Sequence, residues 1–279
     1  TTGSNNVAIG YQALSSEDTG NNSVAIGYRA LEDQNNDSNN YNVAVGYDTG
    51  KNVTTGTLNV LMGGFTGDAL TTGSSNTAMG YAALSSEDSG SRAVAIGYKA
   101  LLSQNYDGQS YNTAVGYQAG ENVSTGIRNT LIGGLAGDAL TTGQRNVAIG
   151  YAALSAEDAN SFNVAIGDSA LNQLNAGANG YNVAVGYQAG HDMTTGIQNT
   201  TIGGLAGDAL TSGSYNVAIG YNSLGSEQGN GANVAIGYNS LVAQNAGADA
   251  YNVAVGFNSG ASVTTGVRDY GVSFLFHYM

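Results

Sequence analysis

The hexapeptide Asn6-Val7-Ala8-Ile9-Gly10-Tyr11, NVAIGY, decides the fold, because the chain writes it again and again and the residues between the copies read as spacer. Descendants stand at 23–28 (SVAIGY), 42–47 (NVAVGY), 59–64 (NVLMGG) and 76–81 (NTAMGY), after which the cycle restarts. Ala8, Ala78, Ala148 and Ala218 lie 70 residues apart, and within the first cycle the shorter units follow at spacings of 17, 19, 17 and 17. Tandem repetition at a fixed short period is the mark of a solenoid, whose units are each too small to bury a core and take their burial from neighbours. The expected fold is an all-β parallel β-solenoid of about fifteen coils, with neighbouring strands about 4.8 Å apart and a stack of about 70 Å.

We number each coil from its central strand residue, so that Ala8 is position 0. The Val-Ala-Ile alternation predicts an extended strand with Val and Ile on one side and Ala on the other. On this reading Val7, Ile9, Val24, Ile26, Val43 and Val45 line the interior. One further aliphatic group per coil plugs it: Leu14 and Leu31 at +6 in the first two coils, Val53 and Leu70 at +9 in the next two, where +6 is Gly50 or Gly67. The glycine at +2 marks a corner, since glycine tolerates backbone conformations closed to other residues. A second short strand is expected after it, at Tyr11-Gln12-Ala13-Leu14, followed by a polar loop. The register is expected to fail at Asp269, which makes residues 1–268 one solenoid domain and 269–279 a non-repeat tail. Thr1-Thr2-Gly3 matches Thr71-Thr72-Gly73, so the numbering starts inside a repeat.

Composition narrows the classes of function. Hydrophobic residues make up 42% and charged residues only 10%, which is too apolar and too weakly charged for a disordered chain. Gly 43 with Pro 0 does not fit collagen, which needs imino acids and a glycine at every third position. The net charge of −13, from 7 Lys and Arg against 20 Asp and Glu, supplies no basic stripe to neutralise phosphates, so no nucleic-acid partner is expected. No run approaches the roughly 20 apolar residues of a membrane span. With no cysteine, neither disulfides nor thiolate metal sites arise.

The reiterated Val-Ala-Ile-Gly followed by small residues resembles the head repeats of YadA-like trimeric autotransporter adhesins. The longer form at Asn6 to Leu14, NVAIGYQAL, resembles repeats in phage and large-virus tail fibres and related bacterial surface proteins. The likeness covers residue 1 to about 268, although these coils are longer than the adhesin period. What the resemblance implies is a left-handed parallel β-roll, homotrimeric, in an extracellular fibre at a cell or virion surface. Left-handed winding runs against the common right-handed crossover, and only the resemblance suggests it.

Candidate sites follow the repeat. Tyr recurs at +3 as Tyr11, Tyr28, Tyr47, Tyr81, Tyr98, Tyr117, Tyr151, Tyr187, Tyr221 and Tyr238, with Phe257 ending the series and Asp168 replacing one member. Such a ladder could stack on a glycan, though aromatic ladders more often pack on themselves or on a neighbouring subunit. Tyr41, Tyr111, Tyr181 and Tyr251 are expected to cover a core edge. The pairs Glu17-Asp18, Glu87-Asp88 and Glu157-Asp158, with Asp68, Asp138 and Asp208, are candidate calcium ligands; solvated acidic loops are the blander and favoured reading. The Thr-Thr-Gly triplets read as turns. His191 and His277 are isolated, and without a partnered His no serine becomes a nucleophile, so no enzyme and no cofactor are expected. The expected function is a structural and adhesive fibre segment, a rigid spacer contacting host or surface glycan or protein. The alternatives are a glycan- or calcium-binding module and a self-assembling filament subunit with open coil ends.

Overall fold

The computed structural model describes residues 2–177 and 179–272. The chain divides into two compact units, Thr1–Gln144 and Arg145–Met279. The first carries β1 (Val7–Ile9), β2 (Val24–Ile26), β3 (Val43–Val45), β4 (Val60–Met62), β5 (Thr77–Met79), β6 (Val94–Ile96), β7 (Thr113–Val115) and β8 (Thr130–Ile132). The second carries β9 (Val147–Ile149), β10 (Val164–Ile166), β11 (Val183–Val185), β12 (Thr200–Ile202), β13 (Val217–Ile219), β14 (Val234–Ile236), β15 (Val253–Val255) and β16 (Tyr270–Val272). Within each unit successive strands pair in parallel with position 0 over position 0, as in Ala8 on Ala25 and Ala165 on Ala184. This is a parallel β-solenoid, and no helix occurs among the described residues.

Three expectations are corrected. The strand faces are reversed: Ala25, Ala44, Ala78 and Ala95 are fully buried, whereas Val24, Ile26, Val43 and Val45 are half-buried on the outside, and Val7 and Ile9 of the first coil are exposed. The reason is room. Position 0 faces the opposite wall of a narrow coil, from which Leu31, Val53 or Leu70 enters, each fully buried; Leu14, in the first coil, is half-buried. The two walls compensate. Where position 0 grows to Leu61, position +6 shrinks to Gly67, and a Cβ there would lie 3.1 Å from Leu61 Cδ2.

The segment after the corner is a turn, not a second strand, because its residues alternate into the left-handed region, with φ of 55° at both Gln12 and Leu14. It still bonds to the next coil, as Leu14 N–H donates to Ala30 O at 3.0 Å and Arg29 N–H to Tyr11 O at 2.9 Å. The coil count is also larger than expected. β16 pairs in register with β15 although it reads Tyr-Gly-Val, since a backbone ladder is indifferent to side chains. Asp269 takes the Asn place and its N–H bonds Asn252 Oδ1 at 2.7 Å. Residues 273–279, His277 among them, lie outside the described residues.

A buried asparagine at −2 holds the start of most strands. Asn112 Nδ2 donates to Gly126 O at 2.7 Å and to Gln104 Oε1 at 2.8 Å, while Asn129 N–H donates to Asn112 Oδ1 at 2.8 Å. The same bond, from the next coil's N–H to the asparagine Oδ1, recurs at Asn42, Asn59, Asn76, Asn182 and Asn199. Replacing Asn112 by Ala leaves buried backbone groups without partners, at about 1–3 kcal/mol for each such group, and urea unfolding should show a loss of that order. At the corner, Gly97 has φ +135° and a Cβ on it would lie 2.1 Å from Gly116 O. Gly97→Ala is therefore expected to lower the free energy of urea unfolding severely, by more than about 4 kcal/mol, whereas Gly177→Ala, at φ +66° with open space around it, costs only about 1 kcal/mol.

Candidate functional site

The +3 tyrosines follow the glycine corner, and the left-handed residue after each one keeps the ring outside. In the first unit the rings form a continuous column. Tyr11, Tyr28 and Tyr47 stack at centroid distances of 5.4 and 5.0 Å, and Tyr81, Tyr98 and Tyr117 at 5.7 and 5.3 Å, with interplanar angles of 8–15°. Gly64 offers no ring, and Phe65 from the next position fills the gap, edge-on to Tyr47 and Tyr81 at 5.3 and 5.8 Å. In the second unit Tyr221, Tyr238 and Phe257 stack at 5.5 and 5.2 Å. These tyrosines are 39–66% exposed, and because the faces cover one another the solvent meets ring edges and hydroxyls.

Two cations lie on this column, and no spacing in the sequence pointed to them. The Arg29 guanidinium stands 4.9 Å from the Tyr28 centroid, and its Nε and Nη2 donate to Asp48 Oδ1 and Oδ2 at 2.9 and 2.7 Å. Lys99 Nζ stands 5.5 Å from Tyr98 and donates to Glu121 Oε1 at 3.3 Å. The contact with Asp48 raises the Arg29 pKa above its ordinary value, as Glu121 does for Lys99, so both stay charged. In the next cycle the ring position is Asp168 and the cation position Ser169, leaving Tyr151 and Tyr187 to either side.

The second tyrosine set does not cover a core edge. Tyr41, Tyr111, Tyr181 and Tyr251 are 45–51% exposed, each with φ near +50°. Tyr111 carries the Arg92 guanidinium at 5.4 Å, and Tyr181 stacks on Phe162 at 4.9 Å, with Arg145 on that ring.

The acidic pairs split across the wall of the coil. Glu17, Glu87 and Glu157 are buried while Asp18, Asp88 and Asp158 are exposed, so the two carboxylates of a pair stand in different surroundings. Among the described residues no three His, Cys, Asp or Glu side chains converge as a metal site. The outer aspartates line shallow polar grooves instead, Asp18 with Asn35, Asn36, Asp37 and Thr55, and Asp88 with Asn105, Tyr106, Asp107 and Thr125. Asp68, Asp138 and Asp208 are half-buried, each with Oδ1 unpartnered, and burial raises their pKa. His191 pairs with Asp192 at 2.6 Å.

The buried glutamates are bonded into the interior. Glu87 Oε1 accepts from Gly90 N–H at 2.8 Å and Oε2 from Gln104 Nε2 at 2.9 Å, and Gln104 Oε1 in turn accepts from Asn112. Glu17 accepts equally from Gln34 Nε2 and Asn40 Nδ2, both at 3.0 Å. Glu227, at the matching place of the last cycle, is fully buried too. In the third cycle the glutamine is replaced by Leu174, Glu157 Oε2 has no partner, and burial pushes Glu157 up to about 7. Burial also raises Glu87 and Glu227.

No protein-family model matches the chain, and no curated protein sequence matches it. No helix among the described residues is long and apolar enough to cross a membrane.

The raised Glu157 pKa fixes a pH dependence. The folded chain binds this proton more tightly than the unfolded one, so the stabilisation is complete below the unfolded value near 4.5 and is lost as pH rises towards about 7. Urea midpoints measured from pH 4.5 to 8 should fall, with a Glu157 share on the order of 2 kcal/mol after solvent screening. Glu157→Gln should shrink that fall, and Leu174→Gln, which supplies a donor to Oε2, should shrink it as well.

Proposed function

We propose that this chain is a structural segment of an extracellular fibre, a homotrimeric spacer that displays surface contacts at a cell or virion surface. The observation that carries the reading is the outward strand face. In the first unit, Val or Thr at −1 and Ile, Val or Met at +1 form a band over eight strands that is half-buried to exposed in a single chain. Contiguous exposed apolar surface of this kind fits a chain-to-chain contact. The continuous inter-coil ladders supply stiffness, and the acidic outer loops keep the fibre soluble.

The glycan reading of the tyrosine ladder has weaker support, since a sugar stacks on a ring face and the column offers edges. A calcium module has weaker support still, because one carboxylate of each pair is buried and no three acidic or histidine side chains converge among the described residues. A filament subunit shares the same outward band and differs in assembling without limit.

Absolute mass by light scattering separates these readings. The expected result is a discrete mass of three chains, unchanged by a calcium chelator. Ile96→Asp, which places a charge on the outward band beside Met79 and Val115, should yield single chains with an unchanged far-ultraviolet spectrum. A parent protein that is already a single chain overturns the trimeric reading, and open-ended polymers favour the filament.

A further inference from the structure

The break in the ladder at Asp168 differs from the breaks at glycine. At Gly64 the adjacent Phe65 fills the gap, and at Gly204 the adjacent residue is Leu205, whereas beside Asp168 the adjacent residue is Ser169. Ser169 is too short to fill a rung, and its hydroxyl donates to Asp168 Oδ1 at 2.8 Å. The backbone fixes the order of the three coils: Ser169 N–H bonds Tyr151 O and Gln188 N–H bonds Asp168 O, both at 2.9 Å. Asp168 thus lies one coil from each of Tyr151 and Tyr187, which are 58% and 57% exposed. Among the described residues neither ring has a ring or cation partner, and Asp168 has no salt bridge.

Two coils separate the rings by about 10 Å. A planar group placed midway would stand about 5 Å from each, the separation at which Tyr28 sits between Tyr11 and Tyr47. It is also the distance at which Arg29 stands from Tyr28, 4.9 Å, while bonding both oxygens of Asp48. The first cycle therefore shows ring, carboxylate and guanidinium together; the third supplies two rings and a carboxylate and lacks the cation. A guanidinium suits the gap better than an ammonium, since it is flat, stacks on aromatic faces and donates to both carboxylate oxygens.

We propose that the notch formed by Tyr151, Asp168 and Tyr187 binds an arginine side chain of a partner protein, with the guanidinium plane between the rings and its N–H groups on the Asp168 carboxylate. This differs from the stacked ladder elsewhere because neither ring is covered by a neighbouring ring or cation among the described residues.

The test titrates N-acetyl-arginine methylamide into the full chain and follows tyrosine resonances by NMR. The expected result is saturable binding in the millimolar range, with shifts at Tyr151 and Tyr187. N-acetyl-lysine methylamide should bind about three-fold more weakly, for want of a plane. Asp168→Asn should weaken arginine binding about ten-fold by removing the charge. Asp168→Tyr, which restores the missing rung, should abolish it while melting no lower than the parent. Undiminished binding by Asp168→Tyr, shifts centred on Tyr28 or Tyr98 instead, or no saturation up to about 0.1 M overturns the assignment; the Asp168→Asn titration decides it should Asp168→Tyr fail to fold.

Discussion

The structure depends on the contact of one corner glycine with the next. Within each unit the +2 glycines take a φ closed to other residues, and most leave a Cβ position within 2.1–2.6 Å of the following glycine's carbonyl oxygen, as at Gly27 over Gly46 and Gly203 over Gly220. No side chain fits there, so the two backbones approach directly. Once glycine stands on glycine the register of the neighbouring columns is set: Ala over Ala inside, Asn over Asn at the strand entry, Tyr over Tyr outside. An error of one residue would force a Cβ into a carbonyl at the corner and bring Val inward at the strand. The repeat is strict because one steric condition recurs in every coil.

Much of this was written plainly in the chain. A corner glycine, a three-residue strand and a stacked tyrosine column follow from the recurrence of NVAIGY. The direction of the strand was not legible from alternation, because Val-Ala-Ile alternates equally well with either face inward. The deciding signal lay in paired changes across the coil: Ala25 with Leu31 in one coil becomes Leu61 with Gly67 in another, a pattern of facing walls sharing a fixed volume. Alternating φ at Gln12 and Leu14 was illegible for another reason. Left-handed backbone at leucine costs energy locally, and only burial of that leucine in the folded coil offsets it. Adjacent acidic letters likewise concealed that Glu87 points inward and Asp88 outward.

The interior is unusually polar for its width, and the way it accommodates polarity explains its composition. Amides do most of the bonding: an asparagine presents a donor and an acceptor on opposite sides, which suits a stack in which every group faces a copy above and below. A carboxylate only accepts. It fits the column where a glutamine turns donors towards it, as Gln34 does for Glu17 and Gln104 for Glu87. The two cations on the aromatic column of the first unit meet the same demand for a partner, in that Arg29 has Asp48 and Lys99 has Glu121.

In a stack of nearly identical interfaces, no coil is held by anything except its neighbours, so the free energy needed to pull adjacent coils apart varies along the chain with the quality of each junction. The coils bearing Glu157 and Leu174 meet through a junction that lacks the glutamine standing at Gln34, Gln104 and Gln244 in the other cycles. That junction joins the first two coils of the second unit. Breathing of the second unit would then start from that seam, and backbone amides on its two sides would exchange with solvent sooner than those of the better-bonded coils that follow.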